Sequence, residues 1–464
     1  MLLALGGFVT AGALLWWAHF YVQVTRGLGG NLSDAFGCLY SSSGPCGFVS
    51  DLAELGEVTP YSPVVFWAGV ITLFLGVVLK LSLKNDPHPS QSRREECWEV
   101  VVQQPARHRE MPPRLAFLDV FRGFALIVMV LNHTGRWWIA REMGWWRYWI
   151  VYGTVTVAAP IFLFLVGFVL PLSLHRHAGD IVTPSRLWNY WRRGATIVAA
   201  GLLLNVIVFG SIHLRSLSPE DSPLAGGVLQ TIGLSIILMT PTAALLRWSG
   251  GRAALLGAAL VGYLVFLVAY EPLKTWLPNH PLIALTLFLD YPPWPWICLV
   301  LVGLVLGWWW RDVAARGPDA PFFRNLAVVG VMLMALAVLA ELVWPSSPHI
   351  GFTRDRVLNH HWIPAPITSV WILGTVFVML ALFYWLCEVR GWRPNWLVVL
   401  GQTALMLYFV HQVVAYTVLG ERGLHVSFHR WWQFWLANLG MIVACVAMGY
   451  AWQAIKARSK GWFF

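Results

Sequence analysis

Charge is scarce in this chain: Asp, Glu, Lys and Arg together make up 12% of its 464 residues, while hydrophobic residues make up 58%. A soluble domain carries about twice that share of charge, so a water-exposed globule is excluded. The signatures of several common chemistries are missing as well. No Cys-x-x-Cys pair occurs among the six cysteines, which argues against a structural zinc site. Neither Gly-x-Ser-x-Gly nor the Gly-x-x-x-x-Gly-Lys-Ser/Thr phosphate loop is present, so the nucleophile elbow of a serine hydrolase and the cradle of a nucleotide triphosphatase both drop out. No internal repeat is visible, which weakens the case for an inverted-repeat transporter.

What is there is apolar length. A mean hydropathy of +0.63 and 29 Trp describe an integral membrane protein. Twelve apolar segments are marked off by Gly, Pro or charge: 1–22, 62–83, 115–133, 149–174, 194–213, 226–247, 253–270, 293–310, 325–344, 366–387, 396–417 and 433–455. The expected fold is therefore an all-α, polytopic transmembrane bundle of about 12 spans. The first segment is not read as a secretory leader, since no basic stretch precedes it and no small-residue cleavage site follows. With the N-terminus inside, Lys and Arg divide about two to one in favour of the side that holds both termini, which makes that side cytoplasmic. The formal charge of +10 then reflects orientation in the lipid bilayer, and no nucleic-acid partner is expected.

Three parts are expected. Residues 1–83 form a helical pair joined by an outer loop in which Cys38 and Cys46 are spaced to allow a small disulfide. Residues 84–113 are a polar, Pro-containing cytoplasmic linker, and 114–464 form a ten-helix core.

Within the core, the stretch from Arg114 to His133 organises the rest, because Asp119, Arg122, Asn132 and His133 are written into a membrane-length apolar run. Ionisable groups at membrane depth are costly enough to point to function. Eleven residues separate Arg122 from His133, which at ~100° each returns to within ~20° of the start, and Asp119 lies one turn below Arg122. The three share one stripe. At ~1.5 Å of rise per residue the imidazole stands roughly 16 Å above the guanidinium.

The ordered motifs LDVFRGFALIVMVLNH, PIFLFLVGF, YWRRG, GVLQTIGLS at 227–235, WPWICLVLVGLVLG at 294–307 and LGQTALMLYFVHQ at 400–412 resemble the bacterial relatives of heparan-α-glucosaminide N-acetyltransferase. They are also similar to the multi-span sugar O-acyltransferases. The resemblance covers roughly 114–415 and implies an inner-membrane acyltransferase. Such an enzyme takes an acyl group from cytoplasmic acetyl-CoA or another acyl-CoA and delivers it to an extracytoplasmic glycan or amino-sugar acceptor. The lysosomal members carry a His-x-x-Trp element before the PIFLF helix, whereas loop 134–159 here holds no histidine. The role then falls to His133, and glucosamine N-acetylation is not assumed.

Candidate roles follow from that resemblance. His133 is read as a general base or transient acyl carrier, a task that suits an imidazole titrating near neutrality. Asn132 either polarises the substrate carbonyl or satisfies a helix terminus. Arg122, oriented by Asp119, and the pair Arg192 and Arg193 either hold donor phosphates or serve as an anchoring ion pair and ordinary cytoplasmic cations. Gln230 and Tyr408 are candidates for the acceptor side, and His411, at a depth comparable to that of His133, is either a second catalytic histidine lining the acceptor site or a polar group that satisfies another helix inside the bundle. His360 and His361 lie in an outer loop read as an acceptor lid, with no metal expected. A homo-oligomer is compatible with this sequence. A twelve-span transporter or flippase and a non-catalytic membrane scaffold stay open as alternatives.

Overall fold

The computed structural model describes residues 2–28, 39, 61, parts of 65–76, 115–140, 145–174, 183–208, 224, 226–287, 291–343, 366–420 and 423–459. The Cys38 and Cys46 loop, most of segment 62–83, the linker 84–113 and the loop with His360 and His361 lie outside the described residues. In chain order the helices are α1 (Leu2–Leu28), α2 (Ala116–Trp138), α3 (Trp145–Leu174), α4 (Pro184–Val208), α5 (Val228–Thr242), α6 (Ser249–Trp276), α7 (Pro281–Leu287), α8 (Pro293–Arg316), α9 (Ala320–Val343), α10 (Pro366–Tyr384), α11 (Asn395–Gln402), α12 (Ala404–Gln412) and α13 (Trp431–Ser459). Among the described residues ten helices are long and apolar enough to cross a membrane, or eleven with the bent pair α11 and α12 counted as one span. The all-α, multi-span class is as expected. Segment 253–270, the shortest of the expected spans, lies within the 28-residue α6.

Lipid tails are as apolar as leucine, so helices in a bilayer associate through close backbone contact at small residues. The bundle is assembled in that way. A Cβ on Gly194 of α4 would lie 2.7 Å from the Gly233 carbonyl oxygen of α5, and one on Gly233 would lie 2.6 Å from that of Gly194. Gly330 of α9 and Gly374 of α10 form the same reciprocal contact at 2.7 and 2.6 Å. Gly167 of α3 meets α8 at Val300, while Gly303 and Gly307 of α8 face the carbonyls of Phe164 and Phe168. The fourth seam joins α2 to α11, where Gly123 abuts the Leu397 carbonyl and Gly401 the Asp119 carbonyl. Larger side chains at any of these positions would part the helices.

Two departures from the expected elements bear on function. Helix α2 continues through Thr134 and Gly135 to Trp138, so His133 is an interior position and not a helix end. The span expected over 396–417 is broken at Thr403, with its two parts at 79°. Thr403 leaves the helical region at φ −108° and ψ 11°, and its hydroxyl donates to the Val399 carbonyl at 2.7 Å. Beyond α12 the chain widens into a π-helical turn over Val413–Val418.

The His133 end of α2 is held to this broken span and to α13. Trp138 Nε1–H donates to the Ala415 carbonyl at 2.9 Å, and the Thr134 hydroxyl donates to Asn438 Oδ1 at 2.6 Å. At the opposite end of α2, Phe117 packs edge-on to Trp310, Phe323 and Tyr384, with ring centroids 5.5 to 5.6 Å apart. Asp319 secures that aromatic group by accepting from Trp310 Nε1 at 2.8 Å and from the Tyr384 hydroxyl.

Candidate active site

The polar stripe of α2 faces the broken span along its whole length. At one end the Asp119 carboxylate, 9% exposed, accepts from Arg122 Nη1 at 3.5 Å and from Gln402 Nε2 at 3.0 Å. Gln402 Oε1 in turn accepts from Gln453 Nε2 at 2.8 Å, which carries the chain of hydrogen bonds from α2 through α11 to α13. At the other end His133 Nδ1 lies 2.9 Å from His411 Nε2. His411 is fully buried, and its Nδ1 lies 2.8 Å from the Leu407 carbonyl one turn back in α12. The His133 ring also stacks on Trp137, with centroids 5.1 Å apart, and Trp137 leans on Tyr416 at 4.8 Å.

A cavity of about 620 Å³ runs between α3, α4, α5 and the broken span, a size within the range of small-molecule sites. Arg122, Arg192 and Arg193 line it, and so does Tyr408. The Tyr408 ring stands edge-on to His133 at 6.2 Å and to His411 at 5.6 Å. Between those polar groups the walls are apolar, with Leu165 and Val169 from α3, Ile232 from α5 and Leu405 from α12. Three cations and Tyr408 thus share one largely apolar cavity, and the Tyr408 ring separates its wall from the histidine pair. Residues 114–336 match the model of the family described as heparan-alpha-glucosaminide N-acetyltransferase, catalytic.

That stretch is similar to the catalytic region of this family. No curated protein matches the chain. The matched residues take in α2 to α8 and most of α9, whereas Gln402, Tyr408 and His411 come from the broken span beyond them. The heparan-α-glucosaminide N-acetyltransferase-like region therefore supplies the arginines and His133, and a later part of the chain supplies the surface they face.

The structure brings Arg122, Arg192, Arg193 and Tyr408 to one cavity and His133 and His411 to one hydrogen bond. It sends Asn132 elsewhere. Adjacent residues on a helix point about 100° apart, and the Asn132 amide donates to Thr154 Oγ1 of α3 at 3.2 Å, away from the His pair. Gln230 is buried in the α4 and α5 seam, its side-chain amide against Gly201. Two participants are missing from the residues singled out by sequence. Trp137 stands one turn beyond His133, a relation hidden by the expectation that the helix stopped at His133. Gln453 is linked to the site only by the fold, and no local signal marks it.

Proposed function

We propose that this membrane acyltransferase moves an acetyl or short acyl group from acyl-CoA on the cytoplasmic side to a hydroxyl or amine of an extracytoplasmic sugar. The observation that carries the reading is the single cavity that has Arg122, Arg192 and Arg193 on its wall and Tyr408 against the histidine pair. Guanidinium groups match phosphate oxygens in a planar fork, which suits the anionic half of a coenzyme. The apolar walls suit its uncharged arm, and a donor gripped at Arg122 has to extend roughly 16 Å along α2 to bring its thioester to His133.

In the reaction, the acceptor oxygen or nitrogen attacks the thioester carbonyl as its proton passes to His133 Nε2. The C–S bond breaks, and the departing thiolate takes the proton from the imidazolium, so charge and protons balance within one turnover. The bias of Lys and Arg toward the Arg122 end supports a cytoplasmic position for that end, in keeping with a bacterial inner membrane. Adding Arg122, Arg192 and Arg193 to that surface also raises the local concentration of an anionic donor.

The test is transfer of labelled acetyl from acetyl-CoA by purified protein to a panel of sugars and amino sugars. His133→Ala is expected to abolish transfer while donor binding, measured separately by calorimetry, is retained. Turnover equal to that of the wild type would refute the reading.

A further inference from the structure

The Leu407 carbonyl, His411 and His133 form a chain whose proton positions are set by chemistry alone. A carbonyl oxygen only accepts, so the 2.8 Å contact requires that His411 carry its proton on Nδ1. A neutral imidazole with Nδ1–H has a lone pair at Nε2, and that atom faces His133 Nδ1 at 2.9 Å. His133 must then donate Nδ1–H to it, which leaves His133 Nε2 as the unprotonated nitrogen. The two rings are within 12° of coplanar, an orientation that aligns the donor N–H with the acceptor lone pair.

We infer that His411 is a positioning residue that acts through His133. It fixes the tautomer of His133 and supports its imidazolium without touching either substrate. This rests on the proposed acyl transfer and adds a role for a residue outside the family-matched stretch. The chain has the logic of a carboxylate and histidine relay, with a backbone carbonyl and a second imidazole in the orienting places. When His133 Nε2 takes the acceptor proton, the bond from His133 Nδ1 to His411 becomes charge-assisted, so it strengthens in the step where it is needed. A neutral partner suits this depth, since a carboxylate there would need its own counter-charge. The backbone source of the chain is built into α12: Leu407 and His411 are one helical turn apart, and full burial excludes water that would compete for either nitrogen.

Two substitutions and one spectrum decide the matter. His411→Gln places an amide oxygen near the position of Nε2 and keeps the acceptor, whereas His411→Leu keeps bulk and loses it. The expected result is a fall in kcat of about 10²-fold or more for the leucine variant, with donor KM unchanged and at least a tenth of wild-type kcat recovered in the glutamine variant. A leucine variant within threefold of wild type would overturn the inference, and so would a glutamine variant as inactive as leucine while both bind acetyl-CoA normally. If either variant fails to fold, ¹⁵N spectra of histidine-labelled wild-type protein, assigned by difference against His133→Ala, give the answer. Nδ1–H on His133 supports the chain and Nε2–H refutes it. Retained transfer in His133→Ala would instead sink the functional reading itself, so the two failures are distinguishable.

Discussion

Replacing Asp119 tests whether the polar chain at the base of α2 is built as its hydrogen bonds imply. The carboxylate accepts from Arg122 at 3.5 Å and from Gln402 at 3.0 Å, and Gln402 passes the chain to Gln453 at 2.8 Å. An asparagine can keep every partner. Its oxygen accepts from Arg122, its nitrogen donates to Gln402 Oε1, and both glutamine amides turn over so that Gln402 Nε2 donates to Gln453. The cost is then the lost charge assistance alone, about 1 kcal/mol, because a hydrogen bond to a charged group is worth about 1.5–3 kcal/mol against about 1 for a neutral one. A leucine offers no such rearrangement. It leaves the Gln402 amide donor unpaired at a cost of about 1–3 kcal/mol and removes the charge-assisted Arg122 bond, worth about 1.5–3 kcal/mol, for a total of about 2.5–6 kcal/mol. The Arg122 side chain is 29% exposed, so water offsets part of its share and the lower figure applies. Thermal unfolding of detergent-purified protein should therefore order wild type, Asp119→Asn and Asp119→Leu, with the larger gap before the leucine. Equal midpoints for the two variants would show that the chain does not carry the stability assigned to it.

Further outcomes follow from the same geometry. Arg122→Ala and Arg192→Ala should each raise donor KM about tenfold with kcat held within about threefold, as expected for lost phosphate contacts; a fall in kcat at unchanged KM would count against a donor role. Gly401→Ala forces a methyl into the Asp119 carbonyl, so overpacking should cost about 1–3 kcal/mol in thermal unfolding and reduce turnover by shifting α11 against α2. A wild-type melting point and rate would show that this seam yields freely.

Much of the bundle was legible in the chain. Apolar runs bounded by Pro, Gly and charge marked nearly every described span, because a bilayer demands helices of nearly fixed length. The stripe of Asp119, Arg122 and His133 was legible because helical periodicity needs no partner to be computed. Its counterpart was not. The break at Thr403 has no proline, and it stands where α11 is pressed against α2 at Gly401, a contact between residues far apart in sequence. The hydrogen bond from His133 to His411 spans 278 residues, so depth along each helix suggested nearness and only the fold supplied contact. Asn132 was misleading for the opposite reason: next to His133 in sequence, it is turned to another helix.

The continuity of α2 carries a last consequence. One unbroken helix from Ala116 to Trp138 holds Arg122 and His133, is pinned by aromatic rings at one end and by Trp138 and Thr134 at the other, while the bend is confined to its neighbour. On the proposed function that makes α2 a gauge. The interval between the backbone positions of its cation and its imidazole is fixed by the helical rise, so a thioester is selected by the length of its carrier: one that grips the arginines and falls short of the histidine is held without reacting.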